Sequence, residues 1–398
     1  MKPPGSDTDH RDRARLRRRG AALAAPLVLA CALTGFGPAA GAQAASCQNW
    51  TGVQPPSNGT DAVQFLGVAV LPGCDVWAVG DDFTAHNGDI GVIEHWTASG
   101  WSQVPSPNPG AATFLTGVHA VSTADIWAVG DYTTGNGQKT LTLHWNGKTW
   151  KQVTSPSAGR LDELNGVHAV SAHDVWAVGD DFSDAQHKKA LILHWNGSSW
   201  RRVAGPRLGA SSELFGVSAA GHGDAWAVGD GASTPGGPPQ TLILHWNGTA
   251  WQRVSSPHPR MSSGLDGIGV SSASNAWAVG FSSDGTTSRT LALHWNGRRW
   301  APAATPNPAS PGANNDLLQV AVISASDAWA VGSYFSGHMA KTLAVHWNGT
   351  AWTQVPSPNP NIDNQLFAVA ASSARNIWAV GADFADTGPF QALAVHCC

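Results

Sequence analysis

The tetrapeptide Trp-Ala-Val-Gly occurs seven times, beginning at Trp77, Trp127, Trp176, Trp226, Trp277, Trp329 and Trp378, with successive spacings of 50, 49, 50, 51, 52 and 49 residues. A fixed period of this length means that one supersecondary unit is repeated, each copy burying its apolar faces against its neighbours. A second mark keeps the same period. His-Trp follows at His95, His144, His194, His245, His294 and His346, and His396 opens a seventh copy that the chain leaves unfinished. In the six complete copies another tryptophan follows five residues later, at Trp101, Trp150, Trp200, Trp251, Trp300 and Trp352.

Each unit divides into four short strands. The first reads like GVHAVS and ends in a turn with Asp or Asn, as at Asp125, Asp174 or Asn275. The second is DIWAVG-like, the third TLTLHW-like, and the fourth TWKQV-like, running into Ser-Pro or Pro-x-Pro, which cannot extend a ladder. Asn-Gly between the third and fourth predicts a two-residue type I′ hairpin. Alternation puts Leu141, Leu143 and Trp145 on one face, and Trp127 and Val129 opposite Ala128 and Gly130. Large residues on one face and small ones on the other suit a sheet packed between two like sheets. The expectation is an all-β, seven-bladed β-propeller with four antiparallel strands per blade, spanning 45–398.

Charged residues make up 13% of the chain and the net charge is −4, so no basic surplus points to nucleic acid. Residues 1–44 differ from the rest. A basic start from Arg11 to Arg19, an apolar stretch over 20–37 and the small-x-small pattern Ala42-Gln43-Ala44 read as a secretory signal peptide. Arg18-Arg19 raises a twin-arginine variant and Cys31 a lipoprotein variant; no later stretch is long and apolar enough to span a bilayer. The expected location is secreted or extracellular. Cleavage near Ala44 leaves Cys47, Cys74, Cys397 and Cys398, an even set in an exported chain, which suggests disulfides with three possible connectivities.

The unit resembles the kelch-type and Asp-box families of β-propeller. DVWAVGD stands where kelch repeats carry their diglycine strand, and HWNGKTW is similar to the Asp-box turn with Asn in place of Asp. The resemblance implies architecture rather than activity, because these motifs are structural in both families.

The repeated histidines occupy one equivalent place per blade, so they lie on a ring and cannot converge on one ion. They read as residues that satisfy turn or neighbouring-blade backbone groups, and neither a metal nor a cofactor is assigned. Catalytic patterns are wanting. The two tyrosines lie in different blades and no cysteine aligns with a galactose-oxidase-like site. Arg160, Arg207 and Arg260 lie between blades without the sialidase signature, and no GxSxG, HExxH or P-loop occurs. Three of the Asn-x-Ser/Thr sequons are the Asn-Gly turns themselves, at Asn196, Asn247 and Asn348, so glycosylation is not implied.

The candidate site is the rim carrying the variable loops. Acids recur there at Asp81, Asp82, Asp131, Asp180, Asp181, Asp230 and Asp383, beside aromatics at Phe83, Tyr132, Phe182, Phe281, Tyr334, Phe335 and Phe384. Flat rings for stacking next to carboxylates that accept hydroxyl hydrogen bonds fit a sugar surface. The bland alternative is that the rings plug the blades. The expected role is non-catalytic binding of an extracellular glycan or protein by a monomer. A glycan-acting hydrolase or lyase on the same face and a pure protein scaffold are the competing readings.

The unfinished seventh copy has its continuation at the other end. On the HWNGxxW template, His396, Cys397 and Cys398 fill the first three places and Cys47 to Trp50 the last four. The mature N-terminus is thus expected to supply the outer strand of the last blade, closing the ring, with a bond from Cys47 to Cys397 or Cys398 as a clasp and Cys74 available to the remaining cysteine.

Overall fold

The computed structural model describes residues 49–55, 62–84, 88–157, 159–184, 187–309, 312–385 and 389–397. The expected signal peptide, Cys31, Cys47 and Cys398 lie outside them. The described residues form seven four-stranded antiparallel sheets. In blade I the strands are Val63–Leu71, Asp75–Thr84, Gly88–Thr97 and Gly100–Gln103, hydrogen-bonded in chain order from inside to outside. Blades II to VI repeat this order over 112–152, 162–202, 211–254, 262–303 and 315–355. Inner strands of consecutive blades touch all the way round, and the inner strand of blade VII, Asp363–Ser373, touches that of blade I. The chain is a seven-bladed β-propeller.

Ring closure follows the register read from the template. Blade VII contains Asp363–Ser373, Asn376–Phe384 and Gln391–Cys397, and its outer strand is Thr51–Gly52. Thr51 stands opposite His396 as Lys151 stands opposite His144. Val53 N–H donates to Ala394 O at 2.9 Å. Trp50 is buried and packs edge-on against Trp329 of blade VI at 5.4 Å. Across the seam, Trp101 Nε1 of blade I donates to Val53 O at 2.8 Å. The chain's twenty tryptophans occupy the repeat's tryptophan places, and buried Cys397 takes the His-Trp place of blade VII.

Burial between blades explains the face pattern. Ala128, Leu141 and Leu143 of blade II pack with Trp77 and Val79 of blade I. Trp127 and Val129, on the other face, pack with Leu191, Leu193 and Trp200 of blade III. The division into a large and a small face holds along the second strand only: Ala128 and Gly130 pair with Leu143 and Leu141 of the third strand, so the Trp and Val of one blade meet the leucines and outer Trp of the next. Each buried indole contributes on the order of a few kcal/mol. The glycine ending the tetrapeptide is steric: a Cβ on Gly130 would lie 1.9 Å from Phe114 O. Inner strands, whose edges face the channel, borrow partners from next door. Ala169 N–H donates to His119 Nδ1 and Val270 N–H to Ser218 Oγ, both at 3.2 Å.

One local expectation is corrected. The Asn-Gly hairpin is not a two-residue type I′ turn. Trp145 pairs with Trp150, leaving four residues in the loop. Gly147 has positive φ (85°), whereas among the described residues Cys74 is the non-glycine with positive φ. Asn146 instead uses Oδ1 to accept the N–H groups of Lys148 and Thr149 at 3.1 and 3.0 Å. The side chain stabilises a wider loop, which type I′ geometry would not need.

Candidate binding face

In an antiparallel blade read from inside out, the first–second and third–fourth turns share one end. The second–third loops and the blade-to-blade linkers share the other. The tight turns therefore lie on one face of the disc and the variable loops on the opposite one, as the sequence suggested.

The rim acids stand at the loop ends of the second strands but are turned into the structure. Asp81, Asp131 and Asp180 are fully buried, Asp82, Asp181 and Asp383 nearly so, and Asp230 is half-buried. Their carboxylates are engaged. Gln64 Nε2 donates to Asp81 Oδ2 at 2.8 Å, Gln138 Nε2 donates to Asp131, and Arg202 Nη2 meets Asp181 Oδ2 at 2.5 Å. Asn361 Nδ2 donates to Asp383 Oδ1 at 2.7 Å, while burial holds that carboxyl above its ordinary range against the pull of this hydrogen bond. Asp230 Oδ2 approaches the inner strand of blade V at Gly264. The densest network surrounds Lys188, whose Nζ lies 2.9 Å from Glu213, 3.7 Å from Asp180 and 4.0 Å from Glu163. The same Nζ sits 4.7 Å over the Phe182 ring. These acids brace the rim from within.

The aromatics behave differently. Phe83, Tyr132, Phe182, Phe281, Tyr334, Phe335 and Phe384 are all half-buried. Tyr132 and Tyr334 rest part of their rings on inter-blade cores. At the closure seam Phe83 lies 5.3 Å from Phe390, Phe384 lies 5.2 Å from Phe390, and Phe83 lies 6.4 Å from Phe114. Rings from blades VII, I and II thereby form one cluster. Phe390 and Phe114 escaped sequence reasoning. Phe390 is hidden in a variable loop, and Phe114 sits in an inner strand where it looks like core.

The repeated histidines hold the opposite face. His95, His144, His194, His245 and His346 each place Nε2 2.7–2.9 Å from the Asp of their own blade's first turn, and His294 does the same with Asn275. Each of these rings also lies against its blade's repeated Trp, as His144 does with Trp127 at 4.4 Å. The partner is thus a turn side chain, not the backbone group expected. The periodic pairing of Asp-x-Trp with His-Trp was the sequence signal for it. Asp174 also takes His222 of blade IV on its second oxygen at 2.5 Å, and the two histidines hold its carboxyl below its ordinary value despite burial.

No protein family matches the chain, and no curated protein matches it in sequence. Its likeness is to solved folds. YCF48 bound to a D1 peptide shares 13% identity with a TM-score of 0.53, covering 88% of this chain and 97% of that one. YCF48 from Cyanidioschyzon merolae shares 14% at a TM-score of 0.53, covering 88% and 99%. A PL25 polysaccharide lyase, an ulvan lyase bound to -[GlcA(1-4)Rha3S]-, shares 9% at 0.52, covering 87% and 94%. At these identities the likeness carries the propeller architecture and nothing finer.

Proposed function

We propose that the chain is exported and acts outside the cell as a non-catalytic binding module, a propeller of kelch-like and Asp-box-like kind that holds a glycan or protein on its loop face. One observation carries the reading. Blades I, II, III, V, VI and VII each end their second strand in a half-buried ring at the loop face: Phe83, Tyr132, Phe182, Phe281, Tyr334 and Phe384. Rings fixed by packing on one side and open on the other suit stacking against sugar faces or apolar peptide side chains. The engaged rim acids support binding over acid–base chemistry, because their hydrogen-bonding capacity is directed inward. Neighbouring folds bound to a peptide and to a glycan repeat keep both ligand classes within the reading.

A glycan array probed with the folded protein tests this. Binding that disappears in Phe83→Ala and Phe384→Ala, with the melting temperature held, supports the glycan ligand. An array without hits, together with no captured extracellular protein that these variants release, overturns the loop face. The second reading, a hydrolase or lyase, is favoured by Lys188 among three carboxylates. Turnover of polysaccharide that is lost in Lys188→Met would establish it.

A further inference from the structure

The cations of the propeller are unevenly placed. In blades II to V the outer strands and the turns leading into them carry Lys148, Lys151, Arg201, Arg253, Arg298 and Arg299, all exposed. Those same segments, NGKTWKQV, NGSSWRRV, NGTAWQRV and NGRRWAPA, contain no acid. The corresponding outer strands of blades VI, VII and I read WTQV, TG and GWSQ and carry no charge. The nearest repeated acids on the turn face, Asp125, Asp174 and Asp224, are each hydrogen-bonded to their own blade's histidine. Arg202 is the exception on this wall, being drawn to Asp181. A chain of net charge −4 therefore presents a positive arc over four consecutive blades, while many of its acids are gathered into the loop rim.

We propose that this arc of outer wall binds a linear anionic polysaccharide, at a site separate from the loop face and independent of what that face holds. The geometry selects the partner. The cations follow a convex wall from blade to blade, so a flexible chain with repeated carboxylate or sulfate groups can meet them in succession. Arginine forks suit both groups. A flat bilayer touches a convex wall along one blade. Duplex DNA, with a persistence length of about 50 nm, must be bent at an elastic cost to follow it, a cost that a flexible chain does not meet. Trp150, Trp200, Trp251 and Trp300 of these outer strands are buried and offer single strands no stacking surface, while Trp145, Trp195, Trp246 and Trp295 beside the turns are half-buried, so a single-stranded arm belongs in the test.

The test measures binding of the full chain to immobilised dextran sulfate and polygalacturonate across a salt series, with neutral dextran, anionic phospholipid vesicles and single-stranded DNA as comparison arms. The expected result is binding to one or both polyanions that weakens steeply with salt. A Lys148→Glu/Arg201→Glu/Arg253→Glu/Arg298→Glu variant is expected to lose roughly tenfold or more in affinity at low salt. A control with the same charge change on the loop side, Lys139→Glu/Lys189→Glu/Arg207→Glu/Arg289→Glu, should keep its affinity. All eight side chains can be checked for a retained fold by melting temperature. Absence of polyanion binding at low salt, equal loss in both variants, or binding to vesicles or DNA as tight as to the polysaccharides would overturn the proposal.

Discussion

Replacing Glu94 by leucine probes the seam at which the ring closes. Glu94 occupies the third-strand place that holds Leu143, Leu193, Leu244, Leu293, Val345 and Val395 in the other blades. Those six residues all pack in cores between adjacent blades. Val92 and Trp96, two residues to either side on the same face, pack with Trp378, Val380 and Ala394 of blade VII. Glu94 thus shares the face that meets the last blade. Its Oε2 is shielded from solvent and has no hydrogen-bond partner among the described residues. Burial raises its pKa from 4.5 to about 7.

Acting in full on folding, that displacement would correspond to about 3 kcal/mol. The side chain keeps part of its access to water, and screening reduces the expected effect to ~1–2 kcal/mol. The folded carboxyl keeps its proton to higher pH than the unfolded chain does. The folded state therefore binds more protons between pH 4.5 and about 7, and stability falls as pH rises through that window. Below 4.5 both states are protonated and ionisation costs nothing. Urea unfolding of wild type, Glu94→Leu and Glu94→Gln is the assay. The stability of Glu94→Leu relative to wild type should grow by ~1–2 kcal/mol between about pH 4 and about pH 8. Glu94→Gln should remove the pH dependence without restoring apolar contact. A difference that stays flat with pH, or a leucine variant less stable throughout, would show that the carboxylate has a compensating partner.

Trp378→Ala, which empties the other side of the same seam, should cost about 3–5 kcal/mol in urea unfolding; a loss below about 1 kcal/mol would contradict the packing described. Deleting residues 45–55 removes the outer strand of blade VII and should lower the melting temperature and promote self-association on size exclusion. A monomer with unchanged melting would refute closure by the N-terminus. Cys47 is expected in a disulfide with Cys397 or Cys398, stabilising by ~3–5 kcal/mol; non-reducing peptide mapping that finds Cys47 as a thiol ends that idea. Burial lowers the pKa of His119 from 6.5 to about 4, and its neighbour His168 is held well below its usual value by burial and by His119. The unfolded chain takes up these protons first, so stability should fall as pH drops below 6.5. His119→Asn, which keeps an acceptor for Ala169 N–H, should move the acid-unfolding midpoint to lower pH.

Blade count, strand order and the join between the termini were legible in the residue order alone. A period near 50 residues, two-residue alternation and the split HWNGxxW template are one-dimensional signals, and each maps onto a local rule of strands and turns. The turn chemistry was half legible. Asn-Gly marked the hairpins, but the choice between a two-residue turn and an Asn-capped four-residue loop depends on where the flanking tryptophans must pair. The role of the rim acids emerged from packing in three dimensions. Asp81 and Asp180 look like exposed loop carboxylates in the chain, yet strand pairing within their own blades sets Gln64 and Lys188 beside them, and the packed structure buries them completely. The same holds for Glu94 and for the Phe83–Phe390–Phe384 cluster. Their environments are built from residues of the first and last blades, about 300 positions apart in the chain, and such proximity has no local signature in a sequence.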